Sequence, residues 1–204
     1  ENKLGFFFRH QIWLFATFIL MTTLSFQSWT KADDISDFEI EGISVGDSLL
    51  DYYSEKEIKK NKKFLYKSKK FYSIVPNTTS KLLNTYDDVQ FLLKNNDKKY
   101  IIYSITGRLF YEDNINECYK KKDIIVKELS SMLKNATKKD YGKSKFFENS
   151  SDQSTVSDVY FFFNSGANIK VVCYDWSVEQ GTLDGLGVII SSKEIVDFLL
   201  NDAY

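Results

Sequence analysis

The amino-acid sequence predicts an α+β fold: a mainly antiparallel sheet packed against one long helix, with short helices near the N- and C-termini. Short apolar stretches of period two recur along the chain and are separated by brief polar turns. One segment, 114–136, carries a long apolar stripe of helical period. Runs of strands with segregated helices are typical of α+β domains.

The first 32 residues have the order of a secretory signal peptide. Lys3 and Arg9 precede an apolar run over 12–26, and a polar stretch ends at Ala32. The uninterrupted apolar run is shorter than the about 20 residues that span a bilayer, so cleavage after Ala32 is expected. An uncleaved N-terminal anchor is the alternative, and would be the membrane attachment. We therefore expect a periplasmic or extracellular protein whose residues 33–204 form a single α+β domain.

Charge excludes some classes of partner. Without residues 1–32 the charged residues fall from 27 basic and 28 acidic to 24 and 27, a net charge of −3. Such a balance creates no global field that would favour nucleic acid or an anionic membrane. The expected partner is a protein or a small-molecule ligand, with no nucleic acid and no cofactor.

The first elements after the leader are short. A strand is predicted over 38–40, and Asp47 is expected to cap a short helix over 48–53. Ser54 and Glu57 have the spacing of a capping box for a second short helix.

A lysine-rich stretch and a strand follow. Residues 59–70 contain seven lysines and are interpreted as a solvated edge strand or turn, with nucleic-acid binding as the alternative. A strand over 71–75 ends at Pro76.

A hairpin is predicted from strands over 89–94 and 99–111, which flank a polar turn at 95–97. The second strand is expected to be central, with a bulge at Gly107. Period two places five of its apolar side chains on one face: Ile101, Tyr103, Ile105, Leu109 and Tyr111.

The long helix over 114–136 is expected to face the sheet with Ile115, Cys118, Tyr119, Val126, Leu129, Leu133 and Ala136. Lys122 interrupts this stripe and is expected to extend its amine to solvent. Two further strands, 156–164 and 169–177, flank a turn at 165–168. A last strand over 186–190 precedes a terminal helix capped by Ser191 and Glu194.

The two cysteines are predicted to form a disulfide. In an oxidising compartment two cysteines usually pair. Cys118 lies on the sheet-facing stripe of the helix, and Cys173 shares one strand face with Ile169 and Val171. Both side chains are therefore expected at the interface between helix and sheet.

The sequence assigns no catalytic residue and no metal site. Gly46-Asp47-Ser48-Leu49 resembles the first block of the GDSL serine hydrolases, in which the serine is the nucleophile. That family needs a histidine base, yet His10 in the presumed signal peptide is the only histidine, so a Ser48 nucleophile would lack activation. A small hydrolase that uses carboxylates or a Ser-Lys pair remains the alternative to a non-catalytic binding protein.

Aromatic residues provide the candidate binding surface. They cluster on the hairpin of the last two long strands, and the four candidates are Tyr160, Phe162, Tyr174 and Trp176. Such rings could stack on a ligand or anchor a protein contact.

Three segments together resemble a group of small exported proteins of AT-rich bacteria that carries no known activity. They are "FEIEGISVGDSLLDYYSEKEI" near the mature N-terminus, "NECYKKKDIIVKEL" in the long helix and "VVCYDWS" in a late strand. The resemblance implies export and supports the pairing of Cys118 with Cys173. It transfers no catalytic residue.

Overall fold

The computed structural model describes residues 34–76, 83–112, 114–146 and 151–203. The predicted signal peptide or anchor lies outside the described residues. In chain order the described strands are β1 (Glu39–Ile40), β2 (Ile43–Ser44), β3 (Lys62–Lys63), β4 (Phe71–Ile74), β5 (Asp88–Lys94), β6 (Ile102–Tyr111), β7 (Thr137–Lys145), β8 (Thr155–Phe162), β9 (Asn168–Asp175) and β10 (Asp184–Ser191). The α-helices are α1 (Glu55–Lys60), α2 (Ile115–Met132) and α3 (Lys193–Asn201).

One eight-stranded sheet organises the fold, in the order β3-β4-β5-β6-β10-β9-β8-β7. Every neighbouring pair in it is antiparallel, and β1 pairs with β2 in a separate small hairpin. The predicted α+β class is confirmed. β6 lies between β5 and β10, so the prediction of a central strand there is also confirmed.

The first face of the sheet, which we define as the face that α2 covers, holds the main core. The buried apolar residues of α2 are Cys118 and Val126, Leu133 directly after the helix is buried with them, and the rest of the predicted stripe packs around these three. The strands contribute alternate residues, among them Phe91, Ile105, Phe161, Val171 and Ile190. This alternation is the period-two pattern expected of strands with one buried face.

Lys122 does not reach solvent, so the prediction that it snorkels is wrong. The residue is 6% exposed, and its Nζ lies 2.6 Å from the Oγ of Ser157 on β8. The hydroxyl supplies a hydrogen-bond acceptor inside the interface, which offsets part of the cost of burying the amine.

The predicted bulge at Gly107 is also wrong. Gly107 pairs in regular register with Val89 and Val188, and the irregularity lies where β5 steps from Leu92 to Leu93.

At this step Leu92 of β5 pairs with Ser104 of β6, and Leu93 pairs with Ile102. Tyr103, between the two β6 residues, points to the opposite face of the sheet. Ile102, rather than Tyr103, therefore joins Ile105 in the core. Gly107 instead leaves space for the ring of Tyr86, since a Cβ at this position would lie only 2.8 Å from that ring.

Side-chain caps start the short helices. Ser54 and Glu57 form the predicted capping box of α1. α3 is capped by Ser192 and not by the predicted Ser191. The hydroxyl of Ser191 instead forms a hydrogen bond with that of Ser104 within the sheet. The exposed edge strand β3, Lys62–Lys63, agrees with the solvated interpretation of the lysine-rich stretch.

The predicted disulfide between Cys118 and Cys173 is confirmed. It joins α2 to β9 with a Cα–Cα distance of 6.0 Å, and both residues are fully buried. Such a bond is typical of proteins in oxidising compartments. Among the described residues no helix has the length and apolarity needed to cross a membrane.

Replacing both cysteines should destabilise the fold. The bond closes a loop of 55 residues, so a Cys118→Ser, Cys173→Ser variant should lose about 2–5 kcal/mol of unfolding free energy. Urea unfolding followed by circular dichroism measures the change, and reduced wild-type protein is the control. Equal stability of the oxidised wild type and the variant would contradict the prediction.

Candidate functional site

The second face of the sheet, opposite the one that α2 covers, is only partly covered. α3 buries Ile195 and Phe198 against Phe71, and Tyr66, Leu92, Tyr103 and Leu199 pack around this cluster. Phe198 and Phe71 have ring centroids 4.8 Å apart. These contacts occupy the part of the face formed by β4, β5 and the start of β6.

Beside α3 the second face is hollowed into a groove of about 670 Å³. Its floor is formed by residues of β5, β6 and β10: Gln90, Ser104, Thr106, Arg108, Gly185, Ile189 and Ser191. One end is lined by Leu65, Tyr66 and Leu199, and the other by Phe110, Phe146, Tyr174, Trp176, Thr182 and Leu183.

Large apolar side chains stand exposed around this groove. Leu65 is 53% exposed, Leu183 44%, Phe146 39% and Phe110 38%. Scattered exposed apolar residues need no explanation, but a concentration at one concave site indicates a binding surface.

The four aromatic residues predicted as a binding surface lie on the second face in two stacked pairs. Tyr174 and Trp176 have ring centroids 5.3 Å apart and planes 5° apart, and both line the groove. Tyr160 and Phe162 stack in the same way at 5.3 Å but do not line it. Phe146, which the sequence did not single out, places its ring centroid 4.7 Å from that of Trp176.

An ion pair is held between the two aromatic pairs. Lys170 lies 3.0 Å from the Oδ2 of Asp158, and both side chains are less than 20% exposed. The Lys170 amine is 5.1 Å from the centroid of the Tyr160 ring and 6.0 Å from that of Tyr174.

Burial alone lowers the pKa of Lys170, but Tyr174, Tyr160 and Asp158 outweigh it and the pKa is raised. The amine therefore stays charged and paired.

Arg108, the basic residue that lines the groove, and two lysines near α3 are paired as well. Arg108 donates to Asp88 through Nε at 2.6 Å and Nη2 at 2.7 Å, a bidentate contact. At the α3 end, Lys94 lies 2.7 Å from Glu194 and Lys70 lies 3.2 Å from Asp202. The charge that Arg108 brings to the groove is thus neutralised by Asp88.

Asp152 organises the loop that carries Trp176. Its carboxylate accepts hydrogen bonds from the backbone N–H of Ser154, the hydroxyl of Ser177 and the amide of Gln180, at 2.6 to 2.9 Å. The contacts with Ser154, Gln180 and Ser177 hold the pKa of Asp152 well below its usual range. Trp176 itself donates its backbone N–H to Asp184.

The residues of the GDSL-like block have structural roles. Ser48, and not the predicted Asp47, caps the 3-10 helix Leu49–Asp51, accepting from the backbone N–H of Leu50. Its hydroxyl also donates to the carbonyl of Lys99 at 2.7 Å. Asp47 instead accepts from the N–H of Ser44 and from the phenol of Tyr52. This hydrogen bond, with burial, raises the pKa of Tyr52 to about 12.

The chain does contain a Ser-Lys contact, between Ser157 and Lys122. Both residues are less than 8% exposed beneath α2, so a substrate would have to displace the helix to reach them. The carboxylate of Asp175 accepts hydrogen bonds from Lys143 and Thr155, so it is engaged within the protein. Among the described residues no group of three His, Cys, Asp or Glu side chains could hold a metal ion.

Comparison with known proteins gives little. No family model and no curated protein matches the chain. A solved structure of the Ran-binding protein Mog1p of Saccharomyces cerevisiae is 13% identical, covers 69% of this chain and 83% of its own, and has a TM-score of 0.28. A solved structure of a point mutant of the protein Mog1 is 12% identical, covers 69% of this chain and 84% of its own, and has a TM-score of 0.27. Likeness at this level carries no argument about fold or function.

We expect Ser48→Ala to cost stability and not function. Loss of the cap should lower the free energy of unfolding by about 1 kcal/mol, measured by urea denaturation. Ser48 does not line the groove, so ligand binding there should be unchanged. If the wild type shows hydrolase activity and a folded Ser48→Ala variant has lost it, the hydrolase hypothesis would be restored.

Stability should depend on Asp152 in a defined pH window. Because its pKa is lowered in the folded state, its contribution is present above the unfolded pKa of about 3.9 and is lost as pH falls through the folded pKa. Asp152→Asn should therefore be less stable than wild type at pH 6, with a difference that shrinks by pH 2. Urea unfolding across this range tests it, with Asp123→Asn on the exposed side of α2 as control. A difference independent of pH would refute this role.

Proposed function

We propose that this chain is an exported, non-catalytic binding protein that holds its ligand in the groove on the second face of the sheet. One observation carries the proposal: four large apolar side chains stand exposed around a single concave site of about 670 Å³. That volume lies within the usual range for ligand pockets, about 300–1,000 Å³. Exposing this much apolar surface is unfavourable in water unless a ligand covers it.

Two independent features support export. The order of charged, apolar and polar segments over 1–32 is that of a signal peptide. The disulfide between Cys118 and Cys173 fits an oxidising compartment, periplasmic or extracellular. Membership of the small exported proteins that the sequence resembles is part of the same proposal.

Hydrolase chemistry is the second candidate, because Lys122 and Ser157 are in contact. Several features favour a structural role for that pair. It is enclosed between helix and sheet, it lies on the face opposite the groove, and Ser157 pairs in register with Cys173 of the disulfide. An amine and a hydroxyl that satisfy each other in a packed interface are common in stable folds.

Site-specific photo-crosslinking in cells tests the proposal. A benzophenone amino acid replaces Leu183 at the groove in one variant and Ile124 on the outer side of α2 in another; these residues are 44% and 53% exposed. Ligand in the groove should give crosslinked products from position 183 and not from position 124. Equal crosslinking from the two positions, or none from either, would contradict binding at the groove.

A further inference from the structure

We propose that the lysine-rich segment 59–70 attaches the folded domain to the surface of an anionic phospholipid bilayer. Phe64 and Leu65 enter the headgroup region of the bilayer, and the lysines around them bind the lipid phosphates. This inference goes beyond the proposed function, because it does not depend on a ligand in the groove.

The charge of this segment differs from that of the whole domain. Residues 59–70 contain seven lysines and no acidic residue, although the domain after the leader has a net charge of −3. Glu55 pairs with Lys59, and Asp202 pairs with Lys70. Within the described part of the chain the other lysines of the segment form no ion pair, and all of them are exposed: Lys60, Lys62, Lys63, Lys67 and Lys69. The segment is therefore a local cationic surface.

Two large apolar side chains stand exposed among these lysines. Phe64 is 41% exposed and Leu65 is 53% exposed. The amine of Lys62 lies 4.9 Å from the centroid of the Phe64 ring, and the amine of Lys69 lies 5.8 Å from it. Apolar and cationic groups are thus presented together at one place on the surface.

The fold holds this apolar tip in its exposed position. Before the tip, β3 pairs with β4 of the main sheet. After it, the ring of Tyr66 packs against that of Phe198 on α3, with centroids 5.3 Å apart. Because the chain is fixed on both sides, the exposure of Phe64 and Leu65 is a property of the folded domain.

An anionic bilayer matches both kinds of group. Its phosphates complement the lysines, and its acyl region receives apolar side chains that water solvates poorly. The long apolar stems of the lysines allow their amines to stay at the headgroups while the tip inserts more deeply. Charge complementarity and exposed apolar surface therefore favour the same partner.

Nucleic acid is a poorer match for this segment. It offers phosphates, but Leu65 would find no apolar environment against a charged backbone and has no ring to stack on a base. The segment also contains no arginine, the residue best suited to bidentate phosphate contacts.

Flotation with lipid vesicles tests the inference. The protein is purified in its exported form with the disulfide intact, and is mixed with vesicles of phosphatidylcholine alone or of phosphatidylcholine with anionic phosphatidylglycerol. We expect it to float with the anionic vesicles only, and to be released by high salt, which screens the lysines. Equal flotation with both kinds of vesicle, or with neither, would overturn the inference.

The first matched pair of variants removes charge. Each lysine close to an anionic bilayer raises the partition coefficient about fivefold. The double variant Lys63→Gln, Lys67→Gln should therefore lower it about tenfold or more. The control Lys121→Gln, Lys127→Gln removes the same charge from exposed positions of α2 and should bind as wild type does. An equal loss in both variants would contradict attachment through this segment.

The second matched pair removes an apolar side chain. Phe64→Ser should lower the partition coefficient about tenfold or more, because a large apolar side chain no longer leaves water. Ile124→Ser on the outer side of α2, where Ile124 is 53% exposed, should have no effect. Thermal unfolding by circular dichroism verifies that the variants are folded. Flotation that Phe64→Ser leaves unchanged would overturn insertion of the tip.

Two further measurements separate the possible failures. Binding of duplex DNA or polyglutamate that the double lysine variant loses, with no flotation, would assign the segment to a polyanion and overturn the membrane assignment. Phe64 does not line the groove, whereas Leu65 does. Phe64→Ser should therefore keep the crosslinks formed from position 183, so the proposed function and this inference are judged independently.

Discussion

The attachment of α2 to the middle of the sheet, through the bond between Cys118 and Cys173, is the constraint on which the rest of the architecture depends. The bond fixes the helix over β9, where the surrounding strand residues Val171 and Ile169 are fully buried. An 18-residue helix is about 27 Å long, so it and its neighbours close the first face. Any binding surface on the sheet must then be built on the second face.

The second face is too wide for the helix that packs on it. Eight strands at about 4.8 Å spacing place the outermost strands about 34 Å apart, whereas a helix with its side chains is about 10 Å across. α3 therefore covers one part, and the rings of Tyr160 and Tyr174 lie against the Lys170 amine of the ion pair with Asp158 on another. The groove is the strip of β6 and β10 that remains between them.

Local pattern accounts for what the sequence predicted well. Alternation identified the strands and put Tyr174 and Trp176 on one face, and the helical stripe brought Cys118 toward the sheet. Local pattern could not predict the burial of Lys122, because its hydrogen-bond partner Ser157 lies 35 residues away in the sequence.

Local sequence patterns could not predict which residues line the two ends of the groove either. Leu65 and Leu183 are 118 positions apart and meet the same cavity only through the strand order of the sheet. Phe146 offered a weak signal as an apolar residue in a polar stretch.

The edges of the sheet explain why binding is expected on a face. β3 is two residues long and both are lysines. β7 is exposed along its whole length and carries Lys138, Lys139, Lys143 and Lys145, and its register shifts between Asp140 and Gly142. Short length, lysines and bulges are features that block pairing with a further strand. A partner therefore gains little from strand addition at either edge and must bind through side chains, which on the second face are concentrated around the groove.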